Sequence, residues 1–187
     1  MANYFIADLH FGHVNCLAFD NRPFKNIEEH DAALIKNWNK AVGIDDDVYI
    51  LGDISWYNAT KTIEIFKQLN GNKHLIKGNH DSKLLRNREL QSLFVEIVDY
   101  KEITIDDSRK GIVLSHYPIP CFKNHYYGWY HLYGHVHTGF EWNMMKQVKY
   151  QMDALYDTPC EMYNVGCMVE YMNYTPLTLE EILDRQD

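Results

Sequence analysis

Cationic residues are scarce in this chain: 18 lysines and arginines face 26 aspartates and glutamates, a formal net charge of −8. A field of that sign repels long polyanions, which argues against a protein that coats DNA or RNA. Cysteine is also sparse, and Cys16, Cys121, Cys160 and Cys167 form no Cys-x-x-Cys pair. A disulfide framework is therefore not expected, and the thiols are read as reduced. No apolar run approaches the roughly 20 residues that span a bilayer. The opening Met1-Ala2-Asn3-Tyr4-Phe5-Ile6-Ala7-Asp8 lacks the basic segment and long apolar run of a signal peptide. The expectation is a soluble, cytoplasmic protein with no membrane partner. Internal repeats, low-complexity tracts and Pro/Gly/Ser-rich linkers are missing as well, so residues 1–187 are expected to form one domain.

What is present is the balance of a folded enzyme-sized unit, 46% hydrophobic and 24% charged. A chain of this length buries roughly 70% of its unfolded surface. It needs no structural metal, so any metal is expected to be functional. Short apolar runs stop abruptly in polar residues five times: Asn3 to Ala7, Val48 to Leu51, His74 to Ile76, Ile112 to Leu114 and Trp129 to Tyr133. These read as strands. Helical periodicity lies between the first three, over Ile27 to Val42 with Asn26 and Glu29 as a capping pair, and over Ala59 to Leu69 before Gly71. Glu102 to Ile105 alternates like a hairpin strand, with Asp106 to Gly111 as the turn. A last helix is expected at Leu179 to Arg185, opened by a Thr178/Glu181 capping box. Strand-helix alternation followed by hairpins is the pattern of an α/β fold on mixed sheets.

The polar residues that close the five runs are Asp8 and His10, Asp53, Asn79 and His80, His116, and His135 and His137. Imidazole and carboxylate together suit zinc, manganese or iron, whereas thiolate sets suit structural zinc and all-oxygen sets suit magnesium or calcium. Leaving His80 aside, these ligands are too many for one ion but fill two coordination spheres that share a carboxylate. Residues two apart on an extended strand point the same way, so Asp8 with His10, and His135 with His137, are each expected to face one side. Gly52, Gly78, Gly134 and Pro118 suit the sharp turns of such a site. A helix is expected after Asn79, its N–H groups available to an anion. Each tripeptide alone is an ordinary loop signal; all five in order, each ending an apolar run, form a site.

In that order these motifs resemble the calcineurin-like metallophosphoesterase superfamily, from Asp8 to His137. The opening Asp8-Leu9-His10-Phe11-Gly12-His13, with Asn21-Arg22-Pro23-Phe24 after it, is similar to the small bacterial and phage phosphoesterases of that superfamily. The resemblance implies a four-layered α/β/β/α sandwich of two mixed sheets flanked by helices, with a dimetal site at one edge. It implies that Asp8, His10 and His137 hold one ion, that Asn79, His116 and His135 hold the other, and that Asp53 bridges. His80 is then the general acid. Many relatives carry a second aspartate three residues after the bridging one, but here the chain reads Gly52-Asp53-Ile54-Ser55-Trp56-Tyr57. Asp81 or a backbone carbonyl is expected to orient His80 instead.

Two cations would make hydroxide available near neutral pH for in-line attack on phosphorus, and His80 would protonate the leaving oxygen. Manganese is the first expectation, with iron, zinc or nickel as alternatives. Arg22 could fork onto a substrate phosphate, and His13 and Asn15 could contact the leaving group. Trp56 and Tyr57 could stack on a ring, although packing at the rim is the simpler reading. His30, His74, His125 and His131 match no ligand motif and are read as structural. With little sequence free to build a cap, and only Thr138 to Pro159 without a role, the expected substrate is a small, nucleotide-like phosphate ester. A diester is favoured slightly over a monoester. The aromatic run His125 to Tyr133 reads as a strand packed on both faces, and its tyrosines would also suit a homodimer interface. The competing class is a non-catalytic binding scaffold of the same fold, which would be expected to lack ligands or the Asn79-His80 pair. A zinc peptidase would need His-Glu-x-x-His, which does not occur.

Overall fold

The computed structural model describes residues 1–105 and 109–185, so Asp106 to Ser108 of the expected hairpin turn lie outside the described residues. The apolar runs form strands β1 (Asn3–Ile6), β2 (Asp47–Ile50) and β3 (Asn72–Ile76), which pair in parallel. Two short strands complete this sheet: β4 (Phe94–Val98), parallel to β3, and β9 (Leu177–Thr178), antiparallel to β1, in the order β4-β3-β2-β1-β9. The second sheet is β5 (Tyr100–Thr104), β6 (Gly111–Ser115), β7 (Tyr130–Tyr133) and β8 (Glu161–Asn164), in that order. Its β5 edge is antiparallel and the rest parallel, so both sheets are mixed, as expected.

Helices form where the capping residues place them. Asn26 accepts the Glu29 N–H and opens α2 (Ile27–Ala41), and Thr178 with Glu181 forms the full capping box of α6 (Leu179–Asp184). Asn58 opens α3 (Ala59–Phe66), which ends earlier than expected, at the turn before Gly71. The sequence reading missed the one-turn helices α1 (Cys16–Phe19) and α4 (Arg88–Gln91) and the helix α5 (Phe140–Tyr150) inside the unassigned stretch. Each is short or lacks buried residues that would set an apolar period. No helix among the described residues is long and apolar enough to cross a membrane.

The main core joins Leu34 and Trp38 of α2, Ile6, Ile50 and Leu75 of the first sheet, and Ile112, Leu114 and Leu132 of the second. These layers pack face to face as an α/β/β/α sandwich. The outer side of the second sheet, with Val113, Trp129 and Tyr133, carries a smaller cluster against Trp142 and Met145 of α5. The aromatic run therefore does pack on both faces, with Tyr130 turned to the main core. At one edge the two sheets are stitched together: Ala7 N–H donates to Val165 O at 2.7 Å, and Cys167 N–H donates to Ala7 O at 2.8 Å. That seam lies at the carboxyl ends of β1 and β8, the end of a sheet where ligands bind.

Candidate metal centre

Asp8, His10, Asp53, His135 and His137 all have positive φ, from 48° to 70°. A non-glycine residue pays roughly 1–2 kcal/mol for this left-handed conformation. Five such residues in one place mark a site whose geometry the surrounding fold enforces. The strand-alternation expectation is corrected here: β1 ends at Ile6 and β7 at Tyr133, so neither ligand pair lies on extended strand. The left-handed turns aim these side chains at one point. Close backbone approach is the second requirement. A methyl at Gly78 would sit 2.2 Å from Asp53 Oδ1, and one at Gly52 would sit 2.5 Å from both Gly78 Cα and His116 Nδ1. Only glycine fits at this crossing.

Five of the seven expected ligands meet in two overlapping groups, Asp8 with His10 and His137, and Asp8 with Asp53 and His116; within each the ligand atoms lie within 4.8 Å of one another, and His135 belongs to neither. The first is the set the sequence reading assigned to one ion. Asp8 is the carboxylate that the two groups share, and the second sets Asp53 beside it. Asp53 Oδ2 is 3.9 Å from His10 Nε2, 3.7 Å from His116 Nε2 and 3.9 Å from His80 Nε2. Asn79 Oδ1 faces His116 Nε2 at 2.9 Å. His135 donates its backbone N–H to Asp8 Oδ2 at 2.9 Å and sets its ring edge-on to His116 and Tyr117.

Hydrogen bonding on the far side of each imidazole orients its near side. His116 Nδ1–H donates to Leu51 O at 2.7 Å, and His137 Nδ1–H donates to Asp20 at 2.8 and 2.9 Å. His10 Nδ1 pairs with His13 Nδ1 at 3.0 Å. In each ring Nε2 is left facing the carboxylates, as a second-shell partner leaves it for a metal. His10 Nε2 is buried with no hydrogen-bond partner, alone in that respect among the described residues. A buried orphan nitrogen costs free energy unless something fills the gap. Burial pushes the Asp8 carboxyl up to about 7, and the neighbouring Asp53 charge adds to the rise. Burial likewise raises Asp53 and holds His10 well below the ordinary histidine range. Burial lowers His116 as well; at His137 it also pulls down, but the hydrogen bond to Asp20 and the Asp8 charge raise that ring above the ordinary histidine value overall. Imidazoles around crowded, desolvated carboxylates are a donor set that fits divalent cations.

Asp20 is the residue sequence reasoning missed. It lies 117 positions from His137, and no motif spacing links them. Burial pushes its carboxyl up, but hydrogen bonds from His137 and the Arg22 charge pull it below the ordinary carboxylate range overall. Arg22 corrects another expectation. Its side chain is buried, with Nε and Nη2 on Asp20 Oδ2 at 2.9 and 2.8 Å, Nη2 on Asp8 O and Nη1 on Leu9 O. It braces the first ligand loop from behind, and no donor fork is left for substrate. His30 continues the brace, 2.8 Å from Arg22 Nη1 and 2.9 Å from Asp31, which accepts the Gly12 N–H.

Two further placements differ from expectation. Asp81 does not orient His80: it is buried and accepts the N–H groups of Asp53, Ile54 and Gly78 at 3.0, 3.0 and 2.8 Å. It ties the two ligand loops together instead. Residues 79–83 form a turn, and a 3₁₀ segment Leu84–Arg86 follows where a regular helix was expected. Asn15 is exposed at the N-cap of α1, and its side chain makes no hydrogen bond among the described residues. His80 donates its backbone N–H to Asp53 Oδ1 at 3.0 Å, and its half-exposed ring is tilted on Trp56 at 4.5 Å. His13 stacks flat on Trp56 at 3.9 Å. His74, His125 and His131 bond to groups outside this cluster.

The family model described as calcineurin-like phosphoesterase matches residues 3–162. The chain belongs to this family, whose members hydrolyse phosphoric ester bonds. Among curated proteins it is similar to an uncharacterized protein of Methanocaldococcus jannaschii, 32% identical over 96% of this chain and 88% of that one. It is also similar to the gene 66 protein of Mycobacterium phage L5, 41% identical over 48% of this chain and 44% of the phage protein. Among solved structures, a protein of unknown function from Aquifex aeolicus superposes with a TM-score of 0.70 at 28% identity, covering 100% of this chain and 99% of the other.

Proposed function

We propose that the chain, acting as one domain, is a two-metal phosphoesterase that favours small, nucleotide-like phosphodiesters over monoesters. The observation that carries the two-metal reading is the pair of overlapping ligand groups around Asp8, with His10 Nε2 buried and unpartnered in one of them. In this reading Asp8, His10 and His137 hold one ion, Asn79, His116 and His135 hold the second, and Asp53 lies between them. Divalent cations held by these residues, manganese first among them, would supply charge neutralisation at the phosphoryl oxygens and a water acidified to near neutrality. The protein's part is preorganisation. Leu51 O and Asp20 fix the tautomers of His116 and His137, and Asp81 holds the backbone of Asp53 against Gly78. His80 Nε2 delivers a proton to the departing oxygen, an effect typically worth about 10² to 10⁴ in rate. The half-exposed ring beside Trp56 leaves room for a leaving group there.

The test is metal-stripped, manganese-reloaded protein on p-nitrophenyl phosphate and bis-p-nitrophenyl phosphate, beside Asp53→Asn and His80→Ala. Metal-dependent release, greater on the diester and lost in Asp53→Asn together with the bound metal, is expected. His80→Ala should retain metal and lose most rate on substrates with poor leaving groups; equal losses on good and poor leaving groups remove His80 from the acid role. Two bound ions with no turnover of either compound would point to a narrow natural substrate, whereas no turnover and no bound ions would leave the scaffold reading in place.

A further inference from the structure

A cleft of about 740 Å³ opens beside the metal centre and shares His80 and Trp56 with it. That volume is within the roughly 300–1,000 Å³ of small-ligand sites. Lys83, Arg86 and Asn87 line part of it, and none of its lining residues is acidic. In a chain of net charge −8 this is a local reversal of sign. The two cations are exposed, and neither has a carboxylate within 4.0 Å among the described residues. Trp56 forms the near wall, 37% exposed and held in place by His13 stacked on it at 3.9 Å. The cleft thus combines an aromatic wall next to the proton donor with two positive charges.

We propose that this cleft is a subsite for a second phosphate on the leaving-group side, so that the preferred substrates are phosphodiesters whose leaving group is a phosphorylated nucleoside. The proposal rests on the phosphodiesterase reading and adds to it the class of leaving group. His80 lies at the mouth of the cleft, so the oxygen it protonates departs into the cleft. The nucleoside ring then lies against Trp56 and its own phosphate reaches Lys83 and Arg86. In the hydrolysis, water oxygen bonds to phosphorus as the bond from phosphorus to the nucleoside oxygen breaks. That oxygen keeps the electron pair and takes the proton from His80, and a proton from water passes to solvent. Two open cations suit one short, phosphorylated end and not a long duplex, which the net charge repels.

The test compares kcat/KM of manganese-loaded protein for the dinucleotides TpT, pTpT and TpTp, so that either nucleoside can be the phosphorylated leaving group. The better phosphorylated substrate is expected to exceed TpT by about tenfold at low salt, with the ratio shrinking as ionic strength rises. In the Lys83→Ala/Arg86→Ala double variant the ratio should fall to near one. Calorimetry on metal-stripped protein supplies a second readout: thymidine 3′,5′-bisphosphate should bind about tenfold more weakly to the double variant. A ratio near one in the unaltered protein, or a ratio that survives the double substitution, overturns the subsite. Failure of metal-dependent hydrolysis of bis-p-nitrophenyl phosphate would instead overturn the phosphodiesterase reading, while calorimetry still decides whether the cleft binds the bisphosphate.

Discussion

Replacing Asp20 by asparagine separates two jobs that one buried carboxylate performs. Its Oδ2 accepts from Arg22 at 2.8 and 2.9 Å, and both oxygens lie within 2.9 Å of His137 Nδ1. An amide has one acceptor oxygen. If that oxygen stays with Arg22, the amide N–H₂ faces His137 Nδ1 and drives the ring to the tautomer with its hydrogen on Nε2. The nitrogen turned toward Asp8 then has no lone pair to offer. Loss of such a second-shell partner costs about 10- to 100-fold in metal affinity, or ~1.4–2.8 kcal/mol. Separately, the buried Arg22 charge loses its counter-ion, an effect of about 3–5 kcal/mol for a broken buried pair. The low end is expected, because Arg22 keeps Asp8 O and Leu9 O as acceptors. Manganese titration of the folded protein reads the first loss, and urea unfolding of metal-free protein reads the second. In a His137→Ala background the affinity loss from Asp20→Asn should vanish while the stability loss remains. Undiminished manganese affinity in the single variant, or an equal affinity loss in both backgrounds, would refute the assignment of Asp20 to His137.

Asp81→Ala leaves three buried N–H donors without an acceptor and should destabilise the fold by ~3 kcal/mol or more, measured by urea unfolding of metal-free protein. Gly78→Ala places a methyl 2.2 Å from Asp53 Oδ1, so manganese affinity should fall at least tenfold even where circular dichroism shows a folded chain. His131, deep in the second sheet, donates from Nδ1 to Val113 O at 3.0 Å and accepts the Ile119 N–H on Nε2 at 3.0 Å. Burial holds its pKa down at about 4, below the ordinary 6.5, so between those values the unfolded chain binds the extra proton. Stability from this group is therefore complete above pH 6.5 and is lost as pH falls toward 4, by up to about 3 kcal/mol. The unfolding free energy of metal-free protein should lose about one proton's worth of slope, ~1.4 kcal/mol per pH unit, in His131→Gln; identical slopes in the two proteins would disprove this.

The amino-acid sequence by itself determined the chemistry. Ligand-type side chains at the ends of five apolar runs, Asn26 and Thr178 at helix starts, and the glycines beside Asp53 are local signals, because each depends on residues a few positions apart. That is why β1, β2, β3, β6, β7, α2 and α6 were legible, as was the cluster of Asp8, His10 and His137. Only the tertiary structure decided how those side chains are aimed and braced. The left-handed backbone at Asp8, His10, His135 and His137 is a conformation no tripeptide prefers, and it persists because the seam of Ala7 with Val165 and Cys167 over-determines it. Arg22 read as a substrate fork because its sequence neighbourhood is a turn; its burial against Asp20 and His30 follows from α2 packing on the sheet. Asp20 and His137, and likewise Asp53 and Asp81, are partners across long stretches of chain. Hydrogen bonds of that kind carry no period or spacing, so they arise only once the two sheets close on each other.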